Sequence, residues 1–218
     1  MICGVDEAGR GPIIGPLVVA GVCAEDDVTL KEIGACDSKK CTPEKRERIA
    51  QQIKERGFQY EIMVIPASDI DDLRKTMTLN DLEVYVFSRI IEKLHPDVCY
   101  VDSADVNDVR FGKDILAKLS WKPTMISKHK ADDLYPIVGA ASILAKTRRD
   151  AEVRKIGKEL KHKLNLPLGS GYPADPLTIG YLKNWLKTYG EFPPHVRRSW
   201  ETAKTLMKNH KTKKLDEF

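Results

Sequence analysis

Apolar and polar positions along the chain follow two different periods, and the change from one to the other marks the elements. Met1–Val5 and the Val-rich run Leu17–Cys23 are short, uninterrupted apolar stretches that read as buried strands, joined by a turn containing Gly9, Gly11, Pro12 and Pro16. Phe58–Ile65 alternates and predicts a third strand, and Val98–Val101 and Pro123–Ile126 predict two more. Helical spacing lies between them. Pro43 to Arg56 opens behind Thr42 as a cap. Leu79, Leu82, Val86, Ile90 and Leu94 fall on one helical stripe, and Asn107–Leu119 is also predicted helical. A long helix is expected from about Ile137 to Lys163, opening with the small residues Gly139, Ala140, Ala141 and Ser142. A loop at Gly169–Pro176 then leads to helices near Leu177–Tyr189 and Ser199–Asn209. This order predicts an α/β protein with a mixed sheet flanked by helices and a helical C-terminal region. No repeat or low-complexity linker divides the chain, and the best candidate boundary is the shift from strands to helices near residue 140.

Composition narrows the class. With 42% hydrophobic and 31% charged residues, the 218-residue chain matches an ordinary soluble globular protein. The net charge of +4 hides an asymmetry. Residues 146–218 carry 17 Lys/Arg against 8 Asp/Glu, a net of +9, whereas the preceding 145 residues carry 19 against 24, a net of −5. A basic C-terminal third attached to an acidic body suggests a polyanion partner and a cation-holding site, with a solvated basic helical surface as the plainer alternative. Five cysteines (Cys3, Cys23, Cys36, Cys41, Cys99) without a CxxC pair argue against a disulfide framework or zinc ribbon and for a reducing compartment. The apolar stretch from Pro12 to Ala24 is broken by glycines and a proline and is preceded by Asp6 and Glu7. That argues against reading the stretch as a secretory leader and for an interior strand, and it is far short of the ~20 apolar residues of a membrane span. The expectation is a cytoplasmic protein without a membrane partner.

The first and fourth predicted strands both run into an aspartate, Asp6 and Asp102. Sites in open α/β sheets form outside the carboxyl ends of strands, so the two acids meet if their strands are parallel neighbours. Glu7 joins them only if the strand breaks there, because adjacent strand residues face opposite ways. Carboxylates clustered without His or Cys favour hard cations such as Mg²⁺ or Mn²⁺, and a pair of such ions suits phosphodiester hydrolysis. Gly4 to Gly9 has the glycine spacing of a P-loop, but Arg10 and Gly11 replace its Lys and Ser/Thr, and two acids would sit in the phosphate cradle. A P-loop is therefore rejected.

The stretch Gly4-Val5-Asp6-Glu7-Ala8-Gly9-Arg10-Gly11-Pro12, followed by Ile14-Gly15-Pro16-Leu17-Val18-Val19-Ala20, resembles the opening of type 2 ribonuclease H, particularly its archaeal form. The resemblance continues, in order, through Asp37-Ser38-Lys39-Lys40, Leu79-Asn80, Tyr100 to Asp105, Lys130-Ala131-Asp132, Ala140 to Lys146, and Gly169-Ser170-Gly171-Tyr172-Pro173. It implies a ribonuclease H-like fold, with a catalytic core over about 1–140, a helical region over 141–209 completing the substrate groove, and a basic tail over 210–218. It implies four metal-binding catalytic carboxylates, Asp6, Glu7, Asp102 and Asp132. The residues alone supply three of these and do not choose Asp132 over Asp133. Asp105, Asp108 and Asp133 are expected to be surface acids or caps. The Gly9-Arg10-Gly11 turn is implied to recognise the ribose 2′-OH, and Tyr172 to stack at the following deoxyribose.

The implied activity is metal-dependent hydrolysis of RNA in RNA/DNA hybrids and 5′ to ribonucleotides in duplex DNA, leaving 5′-phosphate and 3′-OH ends. Alternatives are a junction resolvase or other DNA nuclease of similar fold, and a silent hybrid-binding module. Ser142, Lys146 and Arg149 share one helix face that offers phosphate contacts, and Lys39 is a further candidate. Gly139 stands where the family more often carries Ser or Ala. Leu215 and Phe218 in the tail resemble a degenerate sliding-clamp-binding peptide, with a frayed basic tail as the alternative.

Overall fold

A computed structural model describes residues 1–35 and 41–216, with the backbone alone for 213–216. Lys39, Phe218 and the side chain of Leu215 therefore lie outside the described residues. The chain forms two compact units: Met1–Ala8, Val18–Val64 and Met77–Arg148 make the first, and Gly9–Leu17, Ile65–Thr76 and Arg149–Phe218 the second.

The first unit is built on a five-stranded sheet in the order β3-β2-β1-β4-β5. Its strands are β1 (Ile2–Ala8), β2 (Leu17–Ala24), β3 (Gln59–Ile65), β4 (Val98–Asp102) and β5 (Thr124–Lys128). β1 pairs antiparallel with β2 and parallel with β4, which pairs parallel with β5, so the sheet is mixed as the pattern predicts. The helices are α1 (Val28–Glu32), α2 (Pro43–Glu55), α3 (Ala67–Leu73), α4 (Leu79–Leu94), α5 (Asp108–Lys118), α6 (Ala131–Leu134), α7 (Pro136–Lys161), α8 (Pro176–Tyr189) and α9 (Glu201–Asp216). Caps set several starts. Thr42 accepts from the Lys45 N–H before α2, and Thr78 and Asp81 form a capping box on α4. Asn107 caps α5, and Asp175 with Pro176 opens α8.

Strand parity sorts the core of this unit. Ala8, Val18, Ala20 and Val22 pack with buried residues of α1 and α2 and with Ile137 to Ala145 of α7. The odd-numbered residues of β1 face the other way, where Val5 approaches Gly21 beside Ile90 and Leu94 of α4. Packing of α5 against β5 covers the same face, through Gly112 against Met125 and Ser127. Gly139 has a steric reason to lack a side chain, because a Cβ there would sit 2.1 Å from the Ala35 carbonyl oxygen.

The second unit has its own core. Ile13 and Ile14 pack with Ile156 and Leu160 of α7, with Tyr181, Leu182, Trp185 and Leu186 of α8, and with Val196, Ala203 and Leu206. Among the described residues, no helix is long and apolar enough to cross a membrane.

Three elements carry no periodic signal in the sequence. α1 and α3 are too short for one, and α6 lies in the polar segment before residue 134. β1 also differs from expectation, running through Asp6 and Glu7 to Ala8 instead of ending before them.

Candidate active site

Three carboxylates converge in the first unit. β1 carries Asp6, the last residue of β4 is Asp102, α6 carries Asp132, and one oxygen from each lies within 4.8 Å of the others. Parallel pairing of Val5 with Val101 brings the next residues, Asp6 and Asp102, up together. Lys130, in the left-handed region at φ 55°, turns the chain from β5 into α6. The Ala131 N–H donates to Asp102 Oδ1 at 3.3 Å, so the start of α6 hangs on the carboxylate of β4. This turn separates the two acids that the sequence leaves equivalent: Asp132 is 2% exposed and inside the cluster, whereas Asp133 is exposed.

Glu7 is not one of the converging three. Because β1 does not break at Asp6, its side chain starts from the face that α4 covers, and Glu83 of α4 bears on it. The two neighbours remain linked, since the Glu7 N–H donates to Asp6 Oδ1 at 2.7 Å. Burial, then the negative charges of Asp6 and Glu83, push the Glu7 carboxyl well above the usual carboxylate range. Its Oε2 is buried with no hydrogen-bond partner among the described residues.

The same forces act on Asp6. Burial first and Asp102 second push its carboxyl up to about 7, while the Ser142 hydroxyl and Lys146 pull it down. Lys146 Nζ stands 3.7 Å from Asp132 Oδ2. An all-oxygen donor set without His or Cys suits a hard divalent cation such as Mg²⁺ or Mn²⁺. The donor chemistry and the orphaned Glu7 oxygen both fit such an ion.

A pH effect follows. Folded Asp6 holds its proton more tightly than in the unfolded chain, so its contribution to metal-free stability is complete in acid and lost as pH rises through about 7. Metal binding needs the deprotonated form. The Tm increase on adding Mg²⁺ or Mn²⁺ to chelated protein is therefore expected to grow between pH 5 and pH 8. Differential scanning calorimetry measures it, and an increase independent of pH would contradict the assignment.

Asp105 is a correction. It is not a surface acid but 6% exposed, paired with Arg110 at 2.6 Å and bonded to Asn80 and the Asn107 N–H. Arg110 above all holds it below the usual carboxylate range. Asp108 lies in the first turn of α5, where an acid is favourable.

In the second unit, Gly9, Arg10, Gly11, Arg149 and Tyr172 come together. Gly9 adopts φ +86°, and a Cβ there would lie 2.5 Å from the Pro16 carbonyl oxygen and 3.3 Å from Cγ of Arg149. The Cα of Gly11 faces Tyr172, whose Cε1 is 3.6 Å from the position a Cβ would take. Arg149 is buried, donates to the Ser170 carbonyl at 2.7 Å and lies 5.1 Å over the Tyr172 ring. It thus fixes the loop that presents Tyr172, which is 40% exposed. The Ile13 and Ile14 N–H groups both donate to the Gly171 carbonyl and tie this loop to the turn. On α7, Ser142 is fully buried and Lys146 partly so, both in the first unit.

Two residues here have no counterpart among the sequence candidates. Arg197 and Trp200 grip the main-chain carbonyls of the turn. An arginine in a basic stretch ordinarily signals solvent, so nothing in the local pattern marks it.

The chain is similar to known proteins of one family. The profile of the family described as Ribonuclease HII matches residues 3–203. A ribonuclease HII from Methanosarcina barkeri is 46% identical over 216 residues, covering 94% of this chain and 95% of that protein. The crystal structure of the ribonuclease H2 from Pyrococcus horikoshii OT3 is similar with a TM-score of 0.87 and 40% identity, covering 96% of this chain and 98% of that one. The structure of the PCNA:RNase HII complex from Archaeoglobus fulgidus matches with a TM-score of 0.84 and 37% identity, over 94% and 96%.

Proposed function

Because the chain belongs to the ribonuclease HII family and is a type 2 ribonuclease H endonuclease acting on RNA paired with DNA, we propose that it cuts 5′ to ribonucleotides embedded in duplex DNA as well, leaving 5′-phosphate and 3′-OH ends. The observation that carries this reading is the convergence of Asp6, Asp102 and Asp132 within 4.8 Å. These three acids would hold Mg²⁺ or Mn²⁺, two ions at turnover, and Glu7 would join them although β1 does not break, because its carboxyl comes close enough for Asp6 and Asp102 to act on it. The bound cation supplies charge neutralisation at the phosphate and a lowered pKa for water.

The chain's own residues do the rest. Ser142 holds the Asp6 carboxylate in one orientation, and Lys146 offsets the charge of Asp132. The turn Gly9-Arg10-Gly11 checks the substrate for a 2′-OH, the group that separates RNA from DNA locally. Tyr172 stacks on the sugar that follows, and Arg149 holds it in place. Lys39 adds a phosphate contact. The tail residues Leu215 and Phe218 dock on a sliding clamp, a reading supported by the relative that is solved in complex with PCNA.

Cleavage of duplexes holding none, one or several ribonucleotides, in Mg²⁺, Mn²⁺ or chelator, tests the proposal. Cutting is expected 5′ to each ribonucleotide and only with metal, with end groups read by ligation and phosphatase sensitivity. An all-DNA branched substrate cut as fast as the ribonucleotide duplex would instead point to a junction resolvase, and binding without any cleavage to a silent hybrid-binding module.

A further inference from the structure

Arg197 has no accessible surface, yet it is one of the largest side chains in the core. Its guanidinium is spent on main-chain carbonyls. Nε donates to the Gly15 carbonyl at 2.9 Å, one terminal nitrogen to the Arg10 carbonyl at 2.9 Å, and the other to the Gly9 carbonyl at 2.6 Å. Trp200 Nε1 donates to the Gly11 carbonyl at 3.3 Å, and the Arg197 guanidinium lies 4.8 Å over the Trp200 ring. The carbonyls of Gly9, Arg10 and Gly11 are therefore all held from the segment 197–200, some 190 residues away in the sequence.

That segment is itself anchored. Asp71 accepts from the Arg198 N–H at 2.7 Å, from the Ser199 N–H at 2.9 Å and from the Ser199 hydroxyl at 2.6 Å. The Arg197 N–H donates to the Ile13 carbonyl, and Ile14 forms a bridge with Val196. Arg74 lies over the Trp200 ring at 5.4 Å.

Peptide planarity turns this clamp into a statement about donors. In a trans peptide the N–H points opposite to the C=O of the same unit, and no bond among the described residues is cis. Fixing the Gly9 and Arg10 carbonyls on Arg197 therefore directs the N–H groups of Arg10 and Gly11 away from it, as a pair of donors set side by side. Three carbonyl dipoles crowded on one point repel each other without a cation between them, so the arrangement depends on the guanidinium fork.

We infer that Arg197 and Trp200 are positioning residues for ribose selection: by gripping the carbonyls of the Gly9–Gly11 turn, they aim its amide donors at the 2′-oxygen. The inference rests on the reading of that turn given above. Neither residue touches the substrate in this scheme, and Asp71 acts one step further back.

Two variants test it. Trp200→Phe removes one N–H and keeps an aromatic ring, whereas Arg197→Lys keeps the buried charge and loses the fork. Folding is checked by circular dichroism and thermal melting. Binding of a duplex with one ribonucleotide and of its all-deoxy counterpart is measured by fluorescence anisotropy in chelator, and kcat and KM on the ribonucleotide duplex with Mg²⁺.

The preference for the ribonucleotide duplex is expected to collapse towards unity in both variants. At the same time kcat falls about tenfold for Trp200→Phe and about a hundredfold for Arg197→Lys, with KM moving much less. Loss of packing alone lowers the amount of active protein without changing the binding preference. Folded variants that keep the wild-type preference and kcat overturn the inference and leave the turn reading standing. Wild-type protein that binds and cuts the all-deoxy duplex as readily overturns the turn reading itself. Should Arg197→Lys fail to fold, Trp200→Phe decides by the same criteria.

Discussion

Asp102→Asn is expected to lower kcat by on the order of a thousandfold or more while leaving fold and duplex affinity in place. The amide is nearly isosteric, and its oxygen still accepts the Ala131 N–H that holds the start of α6. What disappears is one negative charge from a cluster whose donors lie within 4.8 Å. Duplex binding is expected to rest on the proposed phosphate contacts elsewhere and to persist in chelator. A second readout comes from electrostatics. Asp102 is the largest charged contributor to the raised Asp6 carboxyl, so its removal lets Asp6 ionise at lower pH. The pH range over which metal-free stability is lost then shifts towards acid. Steady-state kinetics, anisotropy and calorimetry check the three outcomes, and turnover near the wild-type rate would remove Asp102 from the chemistry.

Asp6 and Asp102 were legible in the sequence because each follows an apolar strand, and the fold needs only parallel pairing to bring such acids together. Asp132 was not, since its neighbour Asp133 has the same chemistry. The choice between them is made by Lys130 in the left-handed region and by one backbone bond to Asp102, neither of which has a periodic signature. At Glu7 the misleading signal concerns the strand and not the residue. A glycine-rich turn suggests a broken strand, but β1 has ladder partners on both sides and continues through Glu7 opposite Val19. Arg197 is the least legible of all. Propensity and charge place arginine at the surface, and only a convergence of carbonyls from distant chain makes burial of its charge favourable.

Gly4→Val is expected to damage the fold severely. A Cβ at residue 4 would lie 2.3 Å from the carbonyl carbon and oxygen of Ile137 and 2.5 Å from the Val138 nitrogen, all main-chain atoms of α7 that cannot rotate aside. Relief requires α7 to lift from β1. Ser142 sits on that helix little more than one turn further on, and its hydroxyl engages Asp6, two residues along β1 from the glycine. Stability and chemistry are therefore coupled through one missing side chain. Overpacking against backbone costs more than the ~1–3 kcal/mol typical of a crowded core. For a chain of this size that lowers Tm by roughly 10 °C. The Tm increase on adding Mg²⁺ should shrink as well, because Asp6 loses the hydroxyl that orients it. Gly4→Ala moves both quantities in the same direction by less. A Gly4→Val protein that melts within about 2 °C of wild type would mean that α7 and β1 do not need this close approach.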